Sequence, residues 1–262
     1  MYKYKTRQLA TPPTISSENI SRYWYDDSAF KTGFLNSLSS LFEGGEKFFM
    51  KSLNYYTPQY PEYKKEVLDF CREEAMHSKT HSKLNKLIDE EYGNTLLQDF
   101  EKQANILLTK IYSKLTPELN LIVTETLEHI TYHLCETILE RQDVVDTTYS
   151  DAKEVFLYHC LDETGESHSS VASRIANRAI NRWYYKLVRK YSITPISFML
   201  LLVLFYQLLT VYKVNKDIRI REIIKGVSDL FGLNGWVREA IMCAISTWQT
   251  EENKWLLKQD NI

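Results

Sequence analysis

The 262 residues are enough for one large domain or two small ones with a substantial buried core. A formal net charge of -2, with 25% charged residues, excludes a global basic field, so nucleic acid is not an expected partner. Only eight Gly and six Pro punctuate the chain, which favours long regular elements and an all-α fold over turn-rich classes.

Segment 1–27 opens MYKYKTRQLATPPT, has no apolar stretch of secretory type, and reads as a polar, extended arm in a cytoplasmic protein. Cys71, Cys135, Cys160 and Cys243 stand singly with no CxxC, so they read as reduced thiols rather than a disulfide framework. The first helical pattern covers 28–56 and breaks at Pro58. Leu35, Phe42, Glu46, Phe49, Met50 and Leu53 share one of its faces, and Glu46 is the only charge among them. Glu46 is either an interior carboxylate or the edge of an amphipathic stripe. The preceding Gly44-Gly45 pair costs about 1 kcal/mol per Gly relative to Ala and permits a kink or the close approach of a neighbouring helix.

The second helix covers 61–91, with Pro61 in its first turn and Gly93 past its end. Within CREEAMHSKTH (71–81), Glu74, His77 and His81 follow at steps of three and four. At about 100° per residue these steps fall within an arc of roughly 60°. Val67, Phe70, Cys71, Leu84 and Ile88 lie along the same arc. A carboxylate and two imidazoles inside an apolar stripe are costly to bury unpaired, and a bound metal ion is one way a bundle tolerates them. All six histidines lie between positions 77 and 168, which marks the middle of the chain as the place to look for chemistry.

After a weaker helical stretch over 94–113, a helix over 117–142 carries TETLEHITYHLCE. Glu128 shares a small, apolar face with Leu121, Thr124, Thr131, Cys135 and Leu139. Glu125, His129, His133, Glu136 and Glu140 fall on the other side and read as a solvated polar face, with His129 alternatively an outer hydrogen-bond partner of a ligand. Tyr132, near Glu128 on the count, is a catalytic or redox candidate beside the plainer reading of a packing Tyr.

The next helix starts near Ser150, an N-cap followed by acids, and runs on through VFLYHCLDETGESHSSVA. His159, Glu163 and Glu166 share a face there, whereas a regular helix points His168 away unless Gly165 marks a π-bulge. Further on, an uncharged run lies between Lys190 and Lys213 and has membrane-spanning length. Pro195 and Gln207 dilute its apolar character, so the expectation is a helix over 193–212 packed on the bundle, with contact to a membrane surface as the intermediate case. Residues 221–262 read as a capping helix pair broken at 232–235, with Trp236, Trp248 and Trp255 as packing residues. The expected organisation is an arm (1–27), a bundle (28–190) and C-terminal helices (191–262). No Gly-rich phosphate loop or nucleophile elbow is present.

Four helices thus offer interior carboxylates. A two-metal carboxylate bundle takes one Glu from each of two helices and a Glu-x-x-His pair from each of the other two. Glu46 and Glu128 fit the single positions, Glu74 and His77 the first pair, and Glu163 the second, with Glu166 where a His is expected. FEGGE (42–46), EEAMHSKTH (73–81) and LEHIT (127–131) resemble the motifs of the ferritin-like family labelled predicted metal-dependent hydrolases. HCLDE (159–163) resembles the H-x-x-D-E-x-x-H segment of the para-aminobenzoate N-oxygenase group of di-iron enzymes.

The resemblance, over about 35–180, implies a ferritin-like four-helix bundle with additional C-terminal helices. It implies the metal ligands Glu46, Glu74, His77, Glu128, His159 and Glu163. The last position goes to Glu166, or to His168 if SSVA (169–172) is aligned instead. His81 and His129 are expected as outer partners. The implied cofactors are two Fe ions, or Mn, with O2 as co-substrate. The implied activity is N-oxygenation or C–H oxidation of a small organic or acyl substrate, with an external electron donor. A metal-dependent hydrolase and a non-catalytic metal-binding helical module are the competing readings, and a homodimer is a further expectation.

Overall fold

Ser28 begins the first long helix by accepting a hydrogen bond from the Lys31 backbone N–H at 3.3 Å. The structure, a computed structural model, describes residues 11–145, 150–164, 168–188, 191–194, 196–197 and 220–257. The first helix, α1, runs Ala29–Tyr56. A 3-10 turn, Pro61–Tyr63, leads into α2, Lys64–Tyr92, which stops where Gly93 adopts φ +64. The buried Asp89 carboxylate accepts from the backbone N–H groups of Leu97 and Gln98 at 3.0 and 2.9 Å and so starts α3, Leu96–Lys114. Thr116 and Pro117 open α4, Pro117–Glu140, and a single turn, α5, comes next at Gln142–Val145.

Ser150 caps α6, Asp151–Glu163. The single helix expected beyond Ser150 is in fact two. It ends at Glu163, where the Thr164 hydroxyl bonds back to the Cys160 carbonyl at 2.8 Å, and α7, His168–Ala179, starts afresh. Helical backbone continues over 182–188 and 191–194. Most of the expected 193–212 helix lies outside the described residues, and no described helix is long and apolar enough to cross a membrane. Two helices, α8 (Ile220–Phe231) and α9 (Trp236–Leu257), lie on either side of the 232–235 break.

The fold is all-α, with no strand among the described residues. α1 packs against α2, α3 and α4, and α4 in turn against α6, α7 and α9. The approach of α3 to α1 is close at Gly44, where a Cβ would stand 2.8 Å from Asn105 Oδ1 and 2.9 Å from Leu108 Cδ1. From Thr11 the N-terminal segment, irregular up to a 3-10 turn at Ser17–Asn19, packs against the helices. Trp24 is buried, stacks on Phe156 with centroids 5.6 Å apart, and donates its indole N–H to Asn36 Oδ1 at 2.9 Å.

The described residues form three apolar clusters, a small one of Ile130, Ile193, Ala244 and Trp248 and two larger ones along the helices. Of the larger two, the first holds Phe34, Leu38, Leu84, Ile88, Val155 and Phe156, the second Phe49, Leu53, Phe70, Leu121, Ile122 and Ile175. On α1 the change from the first to the second brackets Glu46, and on α2 the change from the second to the first brackets Glu74, His77 and His81. A buried polar layer therefore separates two halves of the core.

Candidate metal centre

That layer is assembled from four helices. α1 supplies Glu46, α2 supplies Glu74, His77 and His81, α4 supplies Glu128, and α6 supplies His159, Asp162 and Glu163. Each is at most 2% exposed. The three-residue step on α2 sets His77 Nδ1 3.3 Å from Glu74 Oε2. The four-residue step on α6 sets His159 Nε2 3.3 Å from Glu163 Oε1. Across the two helices, His77 Nδ1 is 3.6 Å from Glu163 Oε1. Donor atoms of Glu46, His77 and His159 lie within 4.8 Å of one another, as do those of Glu74, His77 and Glu163 and those of Glu46, Glu74 and Glu128. Because Glu46, Glu74 and His77 recur in these sets, the six side chains make one continuous cage.

The electrostatics of the cage call for positive charge. Burial, and then the charges of Glu74, Glu163 and Glu128, push the Glu46 carboxyl well above the ordinary carboxylate range. Burial alone would lower His77, but hydrogen bonds to Asp162 and Glu74 and the field of Glu163 outweigh it and push its pKa up to about 10. A single imidazolium thus stands among the carboxyl groups of Glu46, Glu74, Glu128 and Glu163. Glu46 Oε2 is buried with no hydrogen-bond partner among the described residues, an arrangement costly to leave uncompensated. Carboxylate oxygens and imidazole nitrogens at this spacing fit one or two divalent transition-metal ions.

Asp162 is absent from the sequence-derived candidates, although it stands three residues after His159 in HCLDE. Its Oδ2 lies 3.2 Å from His77 Nε2, so the carboxylate accepts a hydrogen bond from Nε2–H and Nδ1 faces the cage. His81, expected as an outer partner, lies 3.1 Å from His159 through its Nε2.

Other expectations need correcting. Tyr132 is half-buried and turns its hydroxyl to Glu136 at 3.3 Å, so it takes no catalytic position among the cage side chains. The supposed solvated face of α4 is largely covered. His129, expected as an outer partner, turns its Nε2 to the Ala244 carbonyl at 2.9 Å and to Thr247 Oγ1 at 3.1 Å on α9. His133 Nε2 lies 2.7 Å from the same Thr247 oxygen. Glu125 is buried and accepts from Ser173 and Tyr185 hydroxyls, both at 2.6 Å. A helix wheel sees one helix and not the partners that cover it, and α9 and α7 cover this one. Glu166 lies outside the described residues, and only the backbone of His168, at the start of α7, is described.

The profile of a family described as "Predicted metal-dependent hydrolase" matches residues 11–252, nearly the whole chain. No curated protein and no solved structure matches it.

Proposed function

We propose that this chain, which belongs to the predicted metal-dependent hydrolase family, is a hydrolase whose cage of Glu46, Glu74, His77, Glu128, His159 and Glu163 holds one or two divalent ions. The observation that carries the reading is the convergence of four buried carboxylates and two buried imidazoles from four helices on one layer. When bound, such ions supply Lewis acidity that acidifies a coordinated water and, if they are iron, electrons for O2 as well.

The chain's own groups complete the site. The four Glu side chains offset the cationic charge, and Asp162 fixes the orientation of the His77 ring. Phe42 lies with its ring centroid 4.4 Å from those of both His81 and His159. Together with the two larger apolar clusters it excludes bulk water, which strengthens every charge interaction inside. Glu46 Oε2, without a protein hydrogen-bond partner among the described residues, is an oxygen that a bound ion would satisfy.

A second reading, oxygenation of a small organic or acyl substrate with an external electron donor, draws on the donor set itself. Four Glu and two His from four helices are what ferritin-like two-metal bundles use. A ferritin-like arrangement of α1, α2, α4 and α6, and kinship to the N-oxygenases, belong to that finer reading. The family description favours hydrolysis.

Metal quantitation on protein purified without chelators is the first test, with one or two Fe, Mn or Zn per chain expected. Absence of stoichiometric metal overturns both readings. Turnover of an ester and amide panel under strict exclusion of O2 then supports the hydrolase, whereas turnover requiring O2 and a reductant supports the oxygenase.

A further inference from the structure

Behind His159, on the side away from Glu163, runs a line of buried polar groups that ligation alone does not require. His81 Nε2 is 3.1 Å from His159 Nδ1, and His81 Nδ1 is 2.9 Å from Ser39 Oγ. Ser39 Oγ in turn lies 2.7 Å from Asn85 Oδ1, and Asn85 Nδ2 lies 2.7 Å from Glu101 Oε2. Ser39, His81 and Asn85 are fully buried, and Glu101, on α3, sits at the rim.

The direction of each bond comes from counting hydrogens. Asn85 Nδ2 lies against Glu101 Oε2 while Ser82 Oγ donates to Glu101 Oε1 at 2.6 Å, which leaves the Asn85 carbonyl facing Ser39; Glu43 shares a further hydrogen bond with Glu101, and burial raises the Glu101 carboxyl. Ser39 has one hydroxyl hydrogen, and the Asn85 carbonyl takes it. Toward His81, Ser39 can then only accept, so His81 carries its proton on Nδ1. Rings of Phe42 and Phe156 flank the fully buried His81, and its bonds run to Ser39 and His159 rather than to a carboxylate. With its single proton on Nδ1, the His81 Nε2 is bare and accepts from His159 Nδ1–H.

We propose that Ser39, His81, Asn85 and Glu101 form a directed hydrogen-bond relay that fixes His159 as its Nδ1–H tautomer and aims its Nε2 lone pair into the cage. The purpose of the relay rests on the metal reading above, and its four members are positioning residues. The tautomer of a ligating imidazole is set by the bond its other nitrogen makes. The two ligand imidazoles therefore present different nitrogens, His77 through Nδ1 with Asp162 behind it and His159 through Nε2 with the relay behind it.

The test uses the full chain labelled with 15N-histidine and stripped of metal. Long-range 1H–15N spectra, assigned with His81→Gln and His159→Gln, are expected to show both rings as Nδ1–H tautomers. Ser39→Ala is expected to shift both tautomer signatures and to weaken Co2+ binding, read from its visible absorption, by about 10- to 100-fold. Ser39→Thr, which keeps the hydroxyl, should restore both. An Nε2–H tautomer at His81 or His159 in the unsubstituted protein overturns the relay, as does Ser39→Ala with unchanged Co2+ affinity. If the unsubstituted protein binds no Co2+, the metal reading falls, while the tautomers still decide whether the relay exists.

Discussion

His77 and His133 are both buried imidazoles with a Glu three residues away, yet their surroundings give them different work. His77 stands among Glu74, Asp162 and Glu163, whereas His133 pairs with Glu136 and Thr247 under α9. Replacing Glu74 or His77 by Ala is expected to abolish metal loading. His133→Ala should leave the metal content intact and lower stability by about 1–3 kcal/mol, since Thr247 and Glu136 lose a buried partner. Metal content by elemental analysis and urea unfolding of the three variants check this, and equal metal loss in all three would break the assignment. The steps of three and four at 74, 77 and 81 were legible because a helix alone imposes them. The fates of His129 and Tyr132 were not, since they depend on which neighbour covers each face.

At the scale of elements, the two adjacent glycines of α1 are unequal. At Gly44 a side chain runs into Asn105 and Leu108 of α3, while a Cβ at Gly45 meets only Phe49 Cζ at 4.0 Å. Gly44→Leu is expected to push α1 from α3 and cost about 1–3 kcal/mol. Gly45→Ala should instead stabilise by about 0.5–1 kcal/mol, through helix propensity and a less flexible unfolded chain. Urea midpoints of the two variants should move in opposite directions. The division of α6 from α7 carries a second lesson. TGES after Glu163 announces a break, and the structure sets the end of α6 at Glu163 with Thr164 as its cap.

For the whole molecule, the cage links stability to pH and to metal. The folded-state pKa values of Glu46 and His77 are both raised, so the contributions of their protonated forms are present at low pH and lost as pH rises. For His77 the loss runs from 6.5 through about 10. His81 has the opposite sign, because its lowered folded-state pKa gives stability above 6.5 that is lost as pH falls. Metal-stripped protein is therefore expected to lose stability between about pH 6.5 and 9. Bound metal demands deprotonated ligands, so the loaded protein should hold or gain stability over the same range. Free metal at about 1,000 times Kd adds about 4 kcal/mol. Urea unfolding with EDTA and with Mn2+ at the two pH values checks the crossing, and parallel slopes would exclude linkage through this cage.

The sequence by itself determined the helical class, the start of α1 at Ser28, the stop of α2 at Gly93 and the shared faces that carry Glu74, His77, Glu128, His159 and Glu163, while burial in the fold decided Glu46. Each of these comes from local periodicity, capping or a left-handed residue, which are properties of a few neighbouring positions. Only the tertiary structure decided that those faces meet in one layer. It also placed Asp162 behind His77, lined up Ser39, Asn85 and Glu101 behind His81, and laid α9 over His129 and His133. Those contacts join residues from 16 to 115 positions apart, and no periodicity within a single helix can specify them.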